Sequence, residues 1–166
     1  PVYQERSEEE ADLIRGVEGF KSVHGKPPRG FISPRGTPSS NTVELLIKHD
    51  FKWHSDHFDR DVPYKIDCEF GDLIAVPFTM EVNDMPLYIR YGNEPEAFTR
   101  ILERILDGFG DTHTPRAVLD LTVHAHVFGR PFGAIELRKS IEVLQRRENV
   151  WITTHEELAD TVSPNT

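Results

Sequence analysis

Apolar residues along the chain fall into stretches of two kinds, one at helical spacing and one nearly continuous. Leu13, Ile14, Val17 and Phe20 recur on one helical face behind Ser7 and Glu10, whose S-x-x-E pattern predicts a capping box and a helix over about 7–23. HGKPPRG breaks that helix with glycine and proline, and GFIS from Gly30 to Ser33 has strand composition. Ser39, Ser40 and Asn41 offer caps for TVELLIKHD, a second helix ending near Asp50, after which FKWHSD reads as a short strand. The Asp-rich stretch from His57 to Gly71 reads mainly as loop. LIAVPFTM, residues 73–80, is an apolar run of the length expected for a strand buried on both faces.

The second half repeats the alternation. EVNDMPLYIRYG reads as loop; Asn93 and Pro95 then open a helix with Phe98, Ile101, Leu102 and Ile105 on one side. RAVLDLTVH, residues 116–124, carries the clearest strand pattern in the chain. A helix over about 133–147, a strand VWITT and a short helix capped by Thr154, with Glu157 three residues on, complete the order. Strand-then-helix units with apolar strands predict an α/β protein with a parallel sheet of about five strands. No repeat and no low-complexity segment interrupts it.

Composition narrows the function. With 166 residues and 37% hydrophobic content the chain has enough for a packed core, and it holds one domain's worth of sequence. Its 28 acidic against 19 basic residues, a net charge of −9, disfavour a nucleic-acid partner. The lone Cys68 excludes a disulfide framework and a multi-thiolate zinc cluster within the chain. No apolar run is long enough for a membrane span, and the acidic start PVYQERSEEE is unlike a secretion signal, so a cytoplasmic protein is expected. The chain begins at Pro1 and enters a helix with no strand before it, as the later part of a larger fold would.

Reactive side chains in parallel α/β sheets gather at the carboxyl ends of strands. That rule singles out Ser33 to Arg35, His54 to Asp56, Val82 to Asp84, His124 to His126 and Thr153 to His155. In LTVHAHVFGRP, His124 and His126 stand two apart where the apolar run ends; for both to enter one cavity the backbone must first turn, so at most one is a catalyst. Each could instead be a histidine satisfied by a loop carbonyl. Arg35 in SPRGTP could orient a carboxylate or lie solvated on a turn. Asp84 in NDMP could read a ligand N–H or form an Asx turn before Pro86. Asp56, heading SDHFDRD, could bind a hard cation or belong to an ordinary acidic turn. His24, His49 and His155 sit at helix ends and carry no catalytic expectation. HxxxH, HExxH, GxSxG, P-loop and GxGxxG patterns are all missing.

Taken together, GKPPRGFISPRGTPSSNTVELLIKHDFKWHSDHFDRDVPY, VPFTMEVNDM and LTVHAHVFGRPFGAIELRKSIEVLQRRENVWITTHEELAD resemble the later portion of the polysaccharide deacetylase superfamily, nearest its allantoinase-like and cyclic-imide-hydrolase-like branch. The resemblance implies the carboxyl-terminal part, residues 1–166, of a distorted (β/α)-barrel with about seven strands when complete. It implies hydrolysis of a C–N bond, in a small cyclic amide, imide or ureide or in an N-acetylated sugar polymer. His124 falls on the family's general-acid histidine and Arg35 near the arginine that steadies the catalytic base. Asn83, Asp84 and Met85 fall on a substrate-facing loop, and Asp56 joins them as a candidate substrate contact. The family's divalent metal, zinc in first place, would have its ligands on an amino-terminal portion not in this chain, so a completing segment, a separate chain or an oligomer is expected as partner. Ala125 stands where the sugar deacetylases often have proline. Asp120 and Asp84 are both candidate partners for the second nitrogen of His124. A noncatalytic binding module on the same fold is the reading from another class.

Overall fold

The computed structural model describes residues 3–109 and 116–162. They form two compact units, the first from residues 3–77 and 153–162, the second from residues 78–109 and 116–152.

In the first unit α1 (Arg6–His24) stops at Gly25, whose φ of 74° suits glycine and whose N–H reaches the Lys21 carbonyl. Its N-cap is Glu5 with no side-chain cap, so the predicted Ser7/Glu10 box does not form. Glu10 instead pairs with Lys48 at 2.6 Å and His49 at 2.9 Å, and these partners hold its carboxyl at about 2. Leu13 and Val17 reach the core, while Ile14 and Phe20 stay partly exposed. α2 (Thr42–Lys48) follows.

β1 (Gly30–Phe31), β2 (Trp53–His54), β3 (Tyr64–Lys65) and β4 (Ile74–Ala75) form one sheet in the order β1-β2-β4-β3. β1, β2 and β4 run parallel and β3 antiparallel. Leu46, Phe51 and Leu73 centre the core beneath it. A Cβ on Gly30 would lie 1.8 Å from the Trp53 ring, so only glycine lets this indole cross β1. Trp53 stacks on His155 at 5.2 Å, and Arg29 clasps Glu156 at 2.6 Å and Asp160 at 3.1 Å. These contacts seat α5 (His155–Asp160), which carries the predicted Thr154/Glu157 capping box.

In the second unit α3 (Glu96–Gly108) packs on α4 (Pro131–Gln145) around Val82, Phe98, Leu102, Val127, Phe128 and Leu144. A buried Thr99–Ser140 hydroxyl pair at 2.7 Å joins the two helices. The GRPFG sequence has a local logic. Pro131 occupies the first helical turn of α4, where its missing N–H costs nothing, and a Cβ on Gly133 would lie 2.5 Å from the Phe128 backbone.

The α/β class stands, but the sheet has a different membership from the one expected. The chain contributes β3 from the stretch read as loop, because Tyr64 and Lys65 pair with Ala75 and Ile74 in a hairpin that Lys65–Asp72 closes at 2.6 Å. Residues 116–124 form no ladder. Their sheet contact is a single parallel bridge, Asn83 to Thr122, and Asp120 gives its N–H to the Thr79 hydroxyl instead. VWITT is irregular too, with Trp151 and Ile152 more than half exposed. Strand composition supplies apolar side chains, but a ladder also needs flanking backbone.

Candidate active site

In the second unit the Thr122 bridge sets the geometry. Thr122 N–H donates to Val82 O and Asp84 N–H to Thr122 O, which brings the segment ending at His124 alongside residues 82–84. The chain then turns, and the His124 carbonyl accepts from Val127 N–H at 2.9 Å and Gly129 N–H at 3.3 Å. Past Asp84 runs a π-helical segment, Met85–Arg90. Such segments are rare and often lie at functional sites.

Asp84 is fully buried, yet all its donors come from the 124–128 turn. Its Oδ2 accepts from His124 N–H at 2.7 Å and Phe128 N–H at 3.2 Å; its Oδ1 faces His124 Nδ1 at 2.6 Å. A carboxylate only accepts, so Nδ1 carries the hydrogen and Nε2 becomes the nitrogen that exchanges protons. The His124 side chain is 36% exposed against 0% for Asp84, so the imidazole is gripped from one side and open on the other.

This corrects the expectation for Asp84, whose side chain is turned to protein donors rather than to a ligand. The Asx turn at this corner belongs to Asn83, whose Oδ1 accepts from Met85 N–H at 3.1 Å. Met85 packs against the unit's core, and Asn83 is half-buried. Asp120 accepts from the Thr122 hydroxyl at 3.1 Å and leaves Nδ1 of His124 to Asp84. His126 is exposed, its ring 5.7 Å from that of His124 at 75°.

The other candidates lie in the first unit. Arg35 is exposed with φ of 61°, in a turn over Pro34–Gly36. Asp56 is buried, and its Oδ2 accepts from Ser33 N–H at 2.8 Å and from His54 Nε2 at 2.7 Å. Burial opposes its charge, but these hydrogen bonds outweigh burial and hold its carboxyl below the usual carboxylate range. His54 lies in the strand-end stretch that the sequence singled out; His57 and Tyr64 join the cluster unanticipated. The i, i+2 spacing of His54 and Asp56 was the available signal, since it puts both on one strand face. Among the described residues no group of His, Cys, Asp and Glu side chains is arranged to hold a metal ion, so the residues described here do not fit the metal that the resemblance implies.

The chain is 28% identical to the peptidoglycan deacetylase of Helicobacter pylori (strain ATCC 700392 / 26695), in an alignment covering 96% of this chain and 65% of that protein. A crystal structure of PuuE allantoinase superposes with a TM-score of 0.85 at 22% identity, covering 95% of this chain and 53% of the other. A protein from Mycobacterium smegmatis described as a polysaccharide deacetylase gives 0.85 at 25% identity, covering 95% and 57%. Over nearly its whole length the chain is similar to polysaccharide deacetylases. The resemblance that its sequence carries extends to the fold, including the allantoinase-like form. No family model matches it. The chain spans 65% of the length of that curated protein and little more than half of those solved structures. No helix among its described residues is long and apolar enough to cross a membrane.

Proposed function

We propose that this chain is part of a hydrolase of carbon–nitrogen bonds other than peptide bonds, acting on a small cyclic amide, imide or ureide, with His124 as general acid. The observation that carries the reading is the Asp84–His124 pair, 2.6 Å long, with a buried carboxylate engaged at both oxygens behind a partly open ring. Once water has added to an amide carbon, the C–N bond breaks only if the departing nitrogen takes a proton, because an amide anion is a poor leaving group. Nε2 of His124 supplies that proton, and Asp84 fixes the tautomer and steadies the imidazolium. Arg35 steadies the catalytic base, Asn83, Met85 and Asp56 contribute to substrate contact, and His126 supports the loop. The divalent metal, zinc in first place, would be held by residues outside this chain, supplied by a completing portion, a separate chain or an oligomer, and would polarise the carbonyl.

Deacetylation of N-acetylated sugar polymers is the second reading, favoured by the peptidoglycan deacetylase to which the chain is similar. Turnover assays of the intact native protein separate them. Ring opening of hydantoin or succinimide with no release of acetate from chitin oligomers or peptidoglycan supports the first, and the opposite pattern the second. Undiminished turnover in His124→Ala removes the acid role from both.

A further inference from the structure

Asp84 stands at the head of the π-helical segment Met85–Arg90 with helical backbone angles of its own, φ −62° and ψ −34°. Its carboxylate therefore turns with that segment. Pro86 has no N–H to give to the carbonyl four residues back, and Val82 O accepts from Thr122 N–H at 3.0 Å instead. At the far end the ladder is out of α-helical step. Tyr91 N–H reaches five residues back to Pro86 O at 3.0 Å, and Gly92, at φ of 65°, sends its N–H to Tyr88 O at 3.1 Å. The two amides that could continue a helix onto Leu87 O are thereby engaged elsewhere. Asn93 fills the gap twice, donating to Leu87 O from Nδ2 at 2.9 Å and from its backbone N–H at 3.1 Å. The sequence offers Asn93 as a cap for α3, but α3 opens behind Pro95 with no side-chain cap, and the Asn93 amide turns back to Leu87.

An extra residue in a helical turn is disfavoured by itself and persists where its neighbours over-determine it. Closing the segment into an α-helix would give Leu87 O to Tyr91 N–H and turn one end against the other by one residue, about 100°. Only Asn93, Glu94 and Pro95 separate Gly92 from α3, whose Phe98 and Leu102 lie in the core, so the Asp84 end takes up the turn. The segment is also tied to the far side of the pair, since the Tyr88 ring lies 5.1 Å from that of Phe132, just past the Phe128 N–H that Asp84 engages. Asp84 grips His124 at 2.6 Å on Nδ1 and 2.7 Å on the backbone N–H, contacts that a shift of about half an ångström would weaken.

We propose that Asn93 is a positioning residue for proton transfer: by occupying the Leu87 carbonyl it keeps the extra residue in the Met85–Arg90 segment and so holds the Asp84 carboxylate on Nδ1 of His124. The role in turnover rests on the C–N hydrolase reading; the grip on the ring does not.

The test compares the intact native protein with two variants. Asn93→Asp is nearly isosteric and keeps the backbone donor, but sets a carboxylate against the Leu87 carbonyl. Deletion of Ile89, whose side chain is more than half exposed, removes the extra residue itself. Nitrogen NMR of the His124 ring reports the hydrogen on Nδ1, and steady-state hydrolysis of hydantoin, succinimide and chitin oligomers reports kcat and KM. The expected result is a folded protein in both cases, a mixture of His124 tautomers, and a kcat lower by about tenfold in Asn93→Asp and about a hundredfold in the deletion, with KM unchanged. Asn93→Gln, which keeps the amide donor on a longer side chain, should recover part of the loss. Scaffolding alone predicts the reverse for the deletion: equal or higher stability in urea, with kcat and tautomer unaltered. A folded Asn93→Asp with native tautomer and kcat overturns the inference, whatever the deletion shows. If Asn93→Asp does not fold, the deletion decides, and an unfolded deletion variant also overturns it, because the extra residue would then hold the unit together rather than aim Asp84. Hydrolysis that needs His124 but is indifferent to Asn93 sinks this inference alone. An altered tautomer in a protein that hydrolyses none of the three probes sinks the hydrolase reading alone.

Discussion

Each unit holds a histidine–aspartate pair of nearly the same length, 2.7 Å for His54–Asp56 and 2.6 Å for His124–Asp84, and the two differ in which partner is left open. In the first unit the imidazole is sealed, 1% exposed, and the carboxylate keeps one oxygen unengaged. In the second both carboxylate oxygens accept hydrogen bonds and the imidazole is 36% exposed. A proton donor must be held from behind and free in front, as His124 is. Pair distance alone would not separate them; the inventory of the remaining lone pairs does.

The strongest way to break this contrast is His124→Ala in the intact enzyme, expected to cost about a hundred- to ten-thousandfold in turnover with the fold retained. His126→Ala should change turnover less than about threefold, within the range of a small loop adjustment. Equal losses in the two variants would remove the division of labour between them. Asp84→Asn keeps the shape but loses the carboxylate grip on Nδ1, and a loss of about ten- to a hundredfold is expected in turnover. Asp84→Ala goes further, stranding buried N–H groups of His124 and Phe128 for roughly 2–5 kcal/mol of stability, measured by urea unfolding.

The first unit should betray its sealed histidines through pH. Burial, aided by the nearby His54, pushes the His57 imidazole below its ordinary value. Below about pH 6.5 the unfolded chain therefore takes up a proton that the folded chain resists, and stability falls with acid. A second decline follows below about pH 4, where the unfolded Asp56 carboxyl takes up protons that the folded one, held low by His54 and Ser33, does not. Thermal melts from pH 7.5 to 5 should slope downward in the wild type and flatten in His57→Gln; parallel slopes would mean His57 is not the group responsible. The smallest effect expected is that of Thr154→Ala, about 1 kcal/mol from the loss of the capping box on α5.

Legibility followed the range of the interactions. The Thr154/Glu157 box was readable because its partners lie within one helical turn. The Ser7/Glu10 box had the same local pattern and failed, because Lys48 and His49 compete for Glu10 from a distant segment. The apolar run at 116–124 had the composition of a strand but only Asn83 to bridge. The π-helical segment after Asp84 had no sequence signal at all.

The sequence by itself determined the α/β class, the resemblance to the deacetylases and the placing of His124 at the end of an apolar segment, because periodicity and local chemistry are written in consecutive residues. The tertiary structure decided which carboxylate serves which histidine. Asp84 lies 40 residues before His124, and no spacing rule couples them; the Asn83–Thr122 bridge does, by carrying two backbones side by side until one buried carboxylate meets a backbone N–H and a ring nitrogen of the same residue. Only that arrangement separates a histidine free to give up a proton from one closed in the core.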